Sequence, residues 1–411
     1  MMTRRLRVLS LVPLTRDARK LSRYSFLDEE LRALAAAGVD VFVFSALPGA
    51  YADDGGVHVR PLPSDSISWR LRAARFYASH LKAVPFANLT DPLQAYRAIR
   101  AECAAIDLVR AERIDIVHSY FGWPKGYGGQ IIKAETGIPL VAGLRGADIN
   151  VLPQHEYGAR LDPCFDRSVR RLLQAADRTV SVSDFLRRRA IELGAPVETA
   201  DVILKGVRLD LFDSARRPRA RVALGLGQTP LILAVAGLVA IKGVGDILTA
   251  MAMVAGQGLA FRLVICGEGE ERAQLERQTV SLGLSERVTF AGRVARDAIA
   301  DYFAAADVFV HGALIEASGN VLLEAMGAGL PAVCTDAGGP SEYVAHGDTG
   351  FVVPVADPAA MAERVAWLLN HAAERQQMGV RARARAESGF GYDRMIDETV
   401  SLYRSLLAAR A

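Results

Sequence analysis

The sequence predicts an α/β protein of two doubly wound parallel-sheet units facing across a cleft. Three observations carry this. Short apolar runs alternate with amphipathic helical patterns through the first half. A polar, basic, proline-bearing stretch, Asp213–Arg221 (DSARRPRAR), then interrupts the pattern and reads as a linker. The alternation restarts and continues almost to the end. Strands alternating with helices predict parallel sheets covered on both faces. Such sheets bind ligands outside the carboxyl ends of their strands.

In order, RVLSLVPL is a first buried strand, followed by a helix near Ser25–Ala37 and the strand VDVFVFSAL. IDIVHSYF, a helix near Gln130–Thr136 and IPLVAGLRG follow. RTVSVS, a helix near Asp184–Leu193 and ETADVILKG close the first half. In the second half PLILAVAGL and FRLVICGEG flank a helix over Val244–Val254. RVTFAG, DVFVHGAL, LPAVCTD and TGFVVP come next, each separated by helical pattern. A last helix, Tyr392–Ala409, stands outside this alternation. The expected domains are residues 1–212, completed by a C-terminal helix over 390–411, and residues 213–389.

A chain of 411 residues suits two or three domains. Half of it is apolar, and the net charge of +3 argues against wholesale nucleic-acid binding. Cys103, Cys164, Cys266 and Cys334 are scattered with no C-x-x-C pair, which suits buried thiols in a reducing cytoplasm. The opening MMTRRLRVLSLVPL is too short in its apolar part for a secretory signal, and no run is long enough to span a bilayer. With no D-x-D and no His/Cys ligand cluster, neither metal nor cofactor is expected.

Four loops concentrate the chemistry. In LIEASGNVLLEAMGAGLP, Leu314–Pro331, two carboxylates, Glu316 and Glu324, bracket Ser318, Gly319 and Asn320 at a helix start. Asn320 is expected to cap the helix Val321–Ala328, whose first-turn amides would attract phosphate. In AGLVAIKGVGD, Ala236–Asp246, Lys242 stands at a helix start as a point charge suited to phosphate. CGEGEE, Cys266–Glu271, and DAGGPSE, Asp336–Glu342, follow two further strands. Taken singly, each has a plain explanation: solvated glutamates, an exposed lysine, or turn glycines. Together they line the carboxyl ends of one sheet.

This set, continuous from Ala236 to Glu342, resembles the nucleotide-sugar-binding domain of the retaining family 4 glycosyltransferases, which have the GT-B fold. IDIVHSYF, IPLVAGLRGADIN, ADRTVSVS and VILKGVRLDLF resemble the family's first domain more loosely, and the last helix resembles one that crosses back onto that domain. The resemblance implies transfer of a sugar from a UDP- or GDP-linked donor to a glycan, lipid-linked or small-molecule acceptor, without metal. It implies Lys242 at the donor diphosphate and Glu316 at the donor sugar, both catalytic. It further implies Glu324 on the ribose diol, Gly319, Asn320 and Val321 amides at the phosphates beside Ser318, and backbone near Arg293 at the base.

Gly237 stands where many relatives carry an arginine, and Arg145-Gly146-Ala147-Asp148 where many carry a histidine before the glycine. The acceptor-side candidates are Arg16, in a basic loop Thr15–Tyr24, His118, Arg145 and Asp148. Ser68–Phe86 mixes arginines, aromatics and leucines, so its helix either packs on the first domain or touches an anionic membrane surface. A location in the cytoplasm, or at the inner face of the membrane, is expected accordingly. Two other readings stay open at this point: a nucleotide-sugar-binding protein without transfer chemistry, and an epimerase or hydrolase of the same fold.

Overall fold

The computed structural model describes residues 4–12, 25–45, 54–61, 66–79, 92–122, 125–212 and 214–410. The chain divides into two compact units, Met1–Ile203 with Met395–Ala411, and Leu204–Arg394.

In the first unit seven described strands form one parallel sheet: β1 (Leu6–Leu11), β2 (Val39–Ser45), β3 (Val57–Pro61), β4 (Ile116–Ser119), β5 (Leu140–Leu144), β6 (Arg178–Ser181) and β7 (Ala200–Val202). Their order is β3-β2-β1-β4-β5-β6-β7. Every residue of β4 and β5 is buried, as expected of strands with helices on both faces. Leu9, Phe42, Val117, Ile132 and Leu140 share one apolar cluster on the sheet. The helix Pro163–Ala175 starts where its chemistry allows: Pro163 needs no amide partner, and the Asp162 carboxylate accepts the Cys164 N–H at 2.7 Å.

Trp69 and Phe76, on the helix Ile67–Ser79, pack against that cluster. Arg72 lies over Trp69 at 4.9 Å and pairs with Asp107 at 2.5 Å. The described part of Ser68–Phe86 thus turns these aromatics inward, while Ile67 and Leu71 are exposed. Residues 80–86 of that segment lie outside the described residues.

The second unit repeats the plan with β8 (Leu231–Val235), β9 (Arg262–Cys266), β10 (Val288–Gly292), β11 (Val308–His311), β12 (Ala332–Thr335) and β13 (Gly350–Val353). The parallel order is β10-β9-β8-β11-β12-β13. The winding direction reverses between β8 and β11, so the loops following those strands flank the place where such sheets take ligands.

Two features depart from the sequence expectation. The stretch Asp213–Arg221, read as a linker, contributes a 3₁₀ turn at Ser214–Arg216 and a helix, Arg217–Ala223. Two of its arginines share a carboxylate: Arg217 and Arg221 donate to Asp307 at 2.5 and 3.0 Å, and the Leu231 N–H reaches the same carboxylate at 2.8 Å, while Arg216 and Arg219 pair with Asp301. The residues just before it, expected in the first domain up to 212, include Val207 and Phe212, which lie in the second unit's core. Phe212 meets Phe303 edge-on at 5.5 Å.

Asp307 is 11% exposed. Asp307→Ala takes the shared carboxylate from two guanidinium groups, which keep the carbonyls of Ala304, Ala305, Ala306, Gly227 and Thr229, and leaves the Leu231 amide without its acceptor, and is expected to lower stability by roughly 1–3 kcal/mol. Thermal and urea melting check this. An unchanged melting temperature would place these arginines among ordinary surface charges.

The final helix, Tyr392–Ala408, belongs to the first unit from Met395 onward. Tyr403 is fully buried, with its hydroxyl 2.5 Å from His118 Nδ1. Arg410, just beyond the helix, donates to the Gly137 carbonyl at 2.9 Å and to Asp177 at 2.7 Å. Among the described residues no helix is long and apolar enough to cross a membrane.

Candidate functional site

The loops at the carboxyl ends of β8–β12 are tied together by main-chain hydrogen bonds. The Leu238 N–H donates to the Glu268 carbonyl at 3.0 Å, joining the loops after β8 and β9. The Leu314 N–H donates to the Ile241 carbonyl at 2.8 Å, crossing the switch point between β8 and β11. The Glu316 N–H donates to Ala337 at 2.9 Å, and the Gly339 N–H returns to Glu316 at 3.0 Å. Glycine is required where these backbones meet. Gly243 has φ +58, and a Cβ there would fall 1.9 Å from the Gly312 carbonyl oxygen. A Cβ on Gly339 would fall 2.2 Å from the Ala317 oxygen, so loop-to-loop packing already demands this glycine.

That framework brings Lys242 and Glu316, 74 residues apart, into contact: the Lys242 ammonium donates to Glu316 Oε2. The side chains are 25% and 16% exposed. Glu316 Oε1 accepts the Ala317 N–H at 3.1 Å. His311, the last residue of β11, is buried, and its Nε2 lies 3.7 Å from the same Oε2 that Lys242 holds. Burial pushes the Glu316 carboxyl up. The charge of Lys242, with His311, outweighs burial and holds the group far below the usual carboxylate range.

The helix carrying Glu324 is Asn320–Gly327. Its N-cap is Gly319, at φ 81 and ψ 62, not Asn320. The left-handed turn that swings the chain from the Glu316 loop into the helix is one that glycine adopts without strain, and it moves Asn320 to the first helical position. Asn320 is exposed and accepts from the buried Ser318 hydroxyl at 3.3 Å. Val321 and Glu324 are half-buried. The first-turn amides face out of the helix end beside Glu316. Arg293 is exposed just beyond β10.

The first-unit candidates are placed differently. Arg16 lies outside the described residues. His118 is 3% exposed, stacked on Tyr120 at 4.4 Å and bonded to Tyr403. Arg145 donates to Glu30 at 2.9 Å and lies over the Tyr120 ring at 5.2 Å. The buried Asp148 carboxylate accepts main-chain N–H groups of Gly122 and Gly146, each at 2.8 Å, and of Arg145. Burial raises its pKa, with those amides pulling the other way. Asp148 therefore organises the turn between Arg145 and Ile149, and Arg145 is anchored to Glu30 rather than to Asp148. Cys103, Cys266 and Cys334 are buried. Burial pushes the Cys103 and Cys266 thiols up to about 11 and 12.

Glu316 makes a pH prediction. Its pKa in the folded protein is below the ordinary value of 4.5. The pair's contribution to stability is therefore complete above about pH 4.5 and is lost as pH falls toward the lowered value. Urea melts between pH 3 and 7 are expected to show a steeper acid loss for the wild type than for Glu316→Gln. Parallel acid limbs would contradict the pairing.

Residues 26–206 match the family described as the glycosyl transferase 4-like domain, and residues 217–385 match glycosyl transferases group 1. The D-inositol 3-phosphate glycosyltransferase 1 of Catenulispora acidiphila is 31% identical over 307 residues, 71% of this chain and 72% of that protein. The chain belongs to the family 4 glycosyltransferases.

This glycosyltransferase is also 30% identical to a Mycobacterium tuberculosis GDP-mannose-dependent alpha-(1-6)-phosphatidylinositol monomannoside mannosyltransferase, over 62% of this chain and 69% of that one. Sucrose-phosphate synthase from Thermosynechococcus elongatus superposes with a TM-score of 0.79, at 20% identity, over 98% of this chain and 100% of that one. Anabaena HepE in complex with UDP and glucose gives 0.75, at 20% identity, over 97% and 100%. The fold is GT-B. The protein is a nucleotide-sugar-dependent transferase of glycosyl groups, and the epimerase, hydrolase and binding-only readings are set aside.

Proposed function

We propose that the loops after β8 and β11 hold a UDP- or GDP-linked sugar, with Lys242 at the diphosphate, Glu316 at the sugar and Glu324 at the ribose diol. The observation that carries this reading is the Lys242–Glu316 contact, set at the switch point of the second sheet beside the amino end of the Glu324 helix. As the glycosidic bond to the donor breaks, negative charge grows on the departing nucleoside diphosphate. An ammonium group and outward-facing amides placed before the reaction stabilise that charge without reorganising. The sugar, becoming oxocarbenium-like, gains from the carboxylate beside it. A carboxylate also suits two adjacent ribose hydroxyls, because it offers two acceptor oxygens. Arg293 and its neighbouring backbone sit at the base end of this arrangement.

The donor's sugar is transferred with retained configuration to a hydroxyl oxygen of a glycan, a lipid-linked sugar or a small molecule, and the nucleoside diphosphate leaves. Similarity to a GDP-mannose-dependent phosphatidylinositol monomannoside mannosyltransferase supports a GDP-linked donor and a lipid-linked acceptor, and similarity to D-inositol 3-phosphate glycosyltransferases supports a small-molecule acceptor. Arg145 and His118 enter this reading as supports of the first unit's own loops, not as groups presented to an acceptor.

The test is thermal melting of the protein with UDP, GDP, ADP and their sugars, followed by transfer assays in the donor series that stabilises it. Stabilisation by one base alone is expected, and it names the donor series. No shift at millimolar concentration with any of them removes the proposed site.

A further inference from the structure

We propose that Glu268 reads the base of the donor and selects guanine over uracil. This rests on the reading that the backbone around Arg293 lies at the base.

Glu268 stands in the loop after β9, and its carboxylate reaches the turn that ends β10. A Cβ on Gly292, the residue before Arg293, would fall 2.9 Å from Glu268 Oε1. Gly292 has φ +70, so the backbone conformation and the carboxylate packed against it both call for glycine there. The Gly267 N–H donates to the Gly292 carbonyl at 2.8 Å, and the Leu238 N–H donates to the Glu268 carbonyl at 3.0 Å. The main chain that carries Glu268 is therefore tied to the loops on either side of it.

The side chain is held at one oxygen only. Arg272, first residue of the helix Arg272–Ser281, donates from Nη1 to Glu268 Oε1 at 2.8 Å and from Nε to Glu276 at 2.6 Å. Its guanidinium lies over the Phe290 ring at 5.2 Å, and Nη2 donates to the Phe290 carbonyl at 3.4 Å. Glu268 Oε2 has no partner among the described residues, and the side chain is 42% exposed. One guanidinium serves two carboxylates, so negative charge is left over beside the Gly292 turn. An ordinary surface ion pair one helical turn apart accounts for Arg272 and Glu276. It does not account for a carboxylate seated against the residue before Arg293 with an open oxygen.

An ionised carboxylate accepts hydrogen bonds and cannot donate them. Guanine offers two adjacent donors on its pairing edge, N1–H and the N2 amino group. Uracil offers one N–H between two carbonyl oxygens, which a carboxylate repels. Adenine offers an amino group beside a bare ring nitrogen. A preheld acceptor at the base end therefore favours guanine, by roughly 10–100-fold for one charge-assisted hydrogen bond.

The experiment is calorimetric titration of the wild type, E268Q and E276Q with GDP, UDP and ADP. The wild type is expected to bind GDP roughly 10–100-fold more tightly than UDP. In E268Q the amide places a donor where the open oxygen stood, so GDP weakens, UDP gains a partner for a carbonyl oxygen, and the preference falls by about tenfold or more. E276Q, which alters only the other carboxylate on Arg272, is expected to keep the wild-type ratio. Both side chains are exposed, so melting temperatures without nucleotide should agree among the three proteins. UDP or ADP binding to the wild type as tightly as GDP overturns the proposal while leaving the donor site intact. So does a wild-type ratio in E268Q, or an equal fall in E276Q, which would trace the effect to the charge around Arg272. No binding of any of the three nucleotides removes the donor-site reading, and this proposal with it.

Discussion

Lys242→Ala is expected to lower kcat for sugar transfer by about 10²–10³-fold, the size typical of removing one preorganised donor to a developing anion. The loss should fall mainly on kcat, with a smaller rise in donor KM, because the diphosphate gains charge only as the bond breaks. The substitution also strands Glu316, since Lys242 is the cation bound to its Oε2. Lys242→Arg separates the two effects. A guanidinium keeps the charge but not the compact ammonium geometry, so pairing should recover more fully than turnover. Steady-state kinetics with the donor identified by melting decide the matter. A tenfold or smaller change in kcat would mean that Lys242 neutralises Glu316 and does not touch the leaving group.

Glu324→Ala is expected to abolish the thermal stabilisation produced by the nucleoside diphosphate while leaving the melting temperature without nucleotide nearly unchanged. At one hundred times the dissociation constant, a bound nucleotide stabilises by about 2.7 kcal/mol, so its loss is easily read. The half-buried carboxylate sits on the second turn of a short helix whose apolar residues, Leu322, Leu323, Ala325 and Met326, anchor it in the core. That anchoring is why the fold should tolerate the change. A full nucleotide shift in the variant would move the ribose away from Glu324.

Much of this was readable before any coordinates. Strand and helix periods are local properties, which is why the alternation located β8–β12 and the loops after them. The same holds for Glu316 and Glu324, which flank one strand–helix turn. Some local details still went elsewhere. Asn320 has the chemistry of a cap, but the turn needs a positive φ, and Gly319 took the position. Arg217 and Arg221 looked like a solvated linker because their partner, Asp307, lies 86–90 residues away. His311 gave only a weak signal, a histidine at the end of an apolar strand. The loop that turns back toward it, bringing Glu316 within 3.7 Å, depends on hydrogen bonds to segments remote in sequence.

From the sequence alone came the α/β class, the two-unit plan, the family and the residue types of the proposed donor site, because periodicity, turn chemistry and motif spacing act over a few residues. The tertiary structure alone decided which charges meet. It placed Lys242 on Glu316, anchored Arg145 to Glu30, buried His118 under Tyr403 and set Asp148 among main-chain amides. A charge or a hydrogen-bonding group buried far from water must find a partner wherever the fold supplies one, and sequence distance puts no limit on that choice.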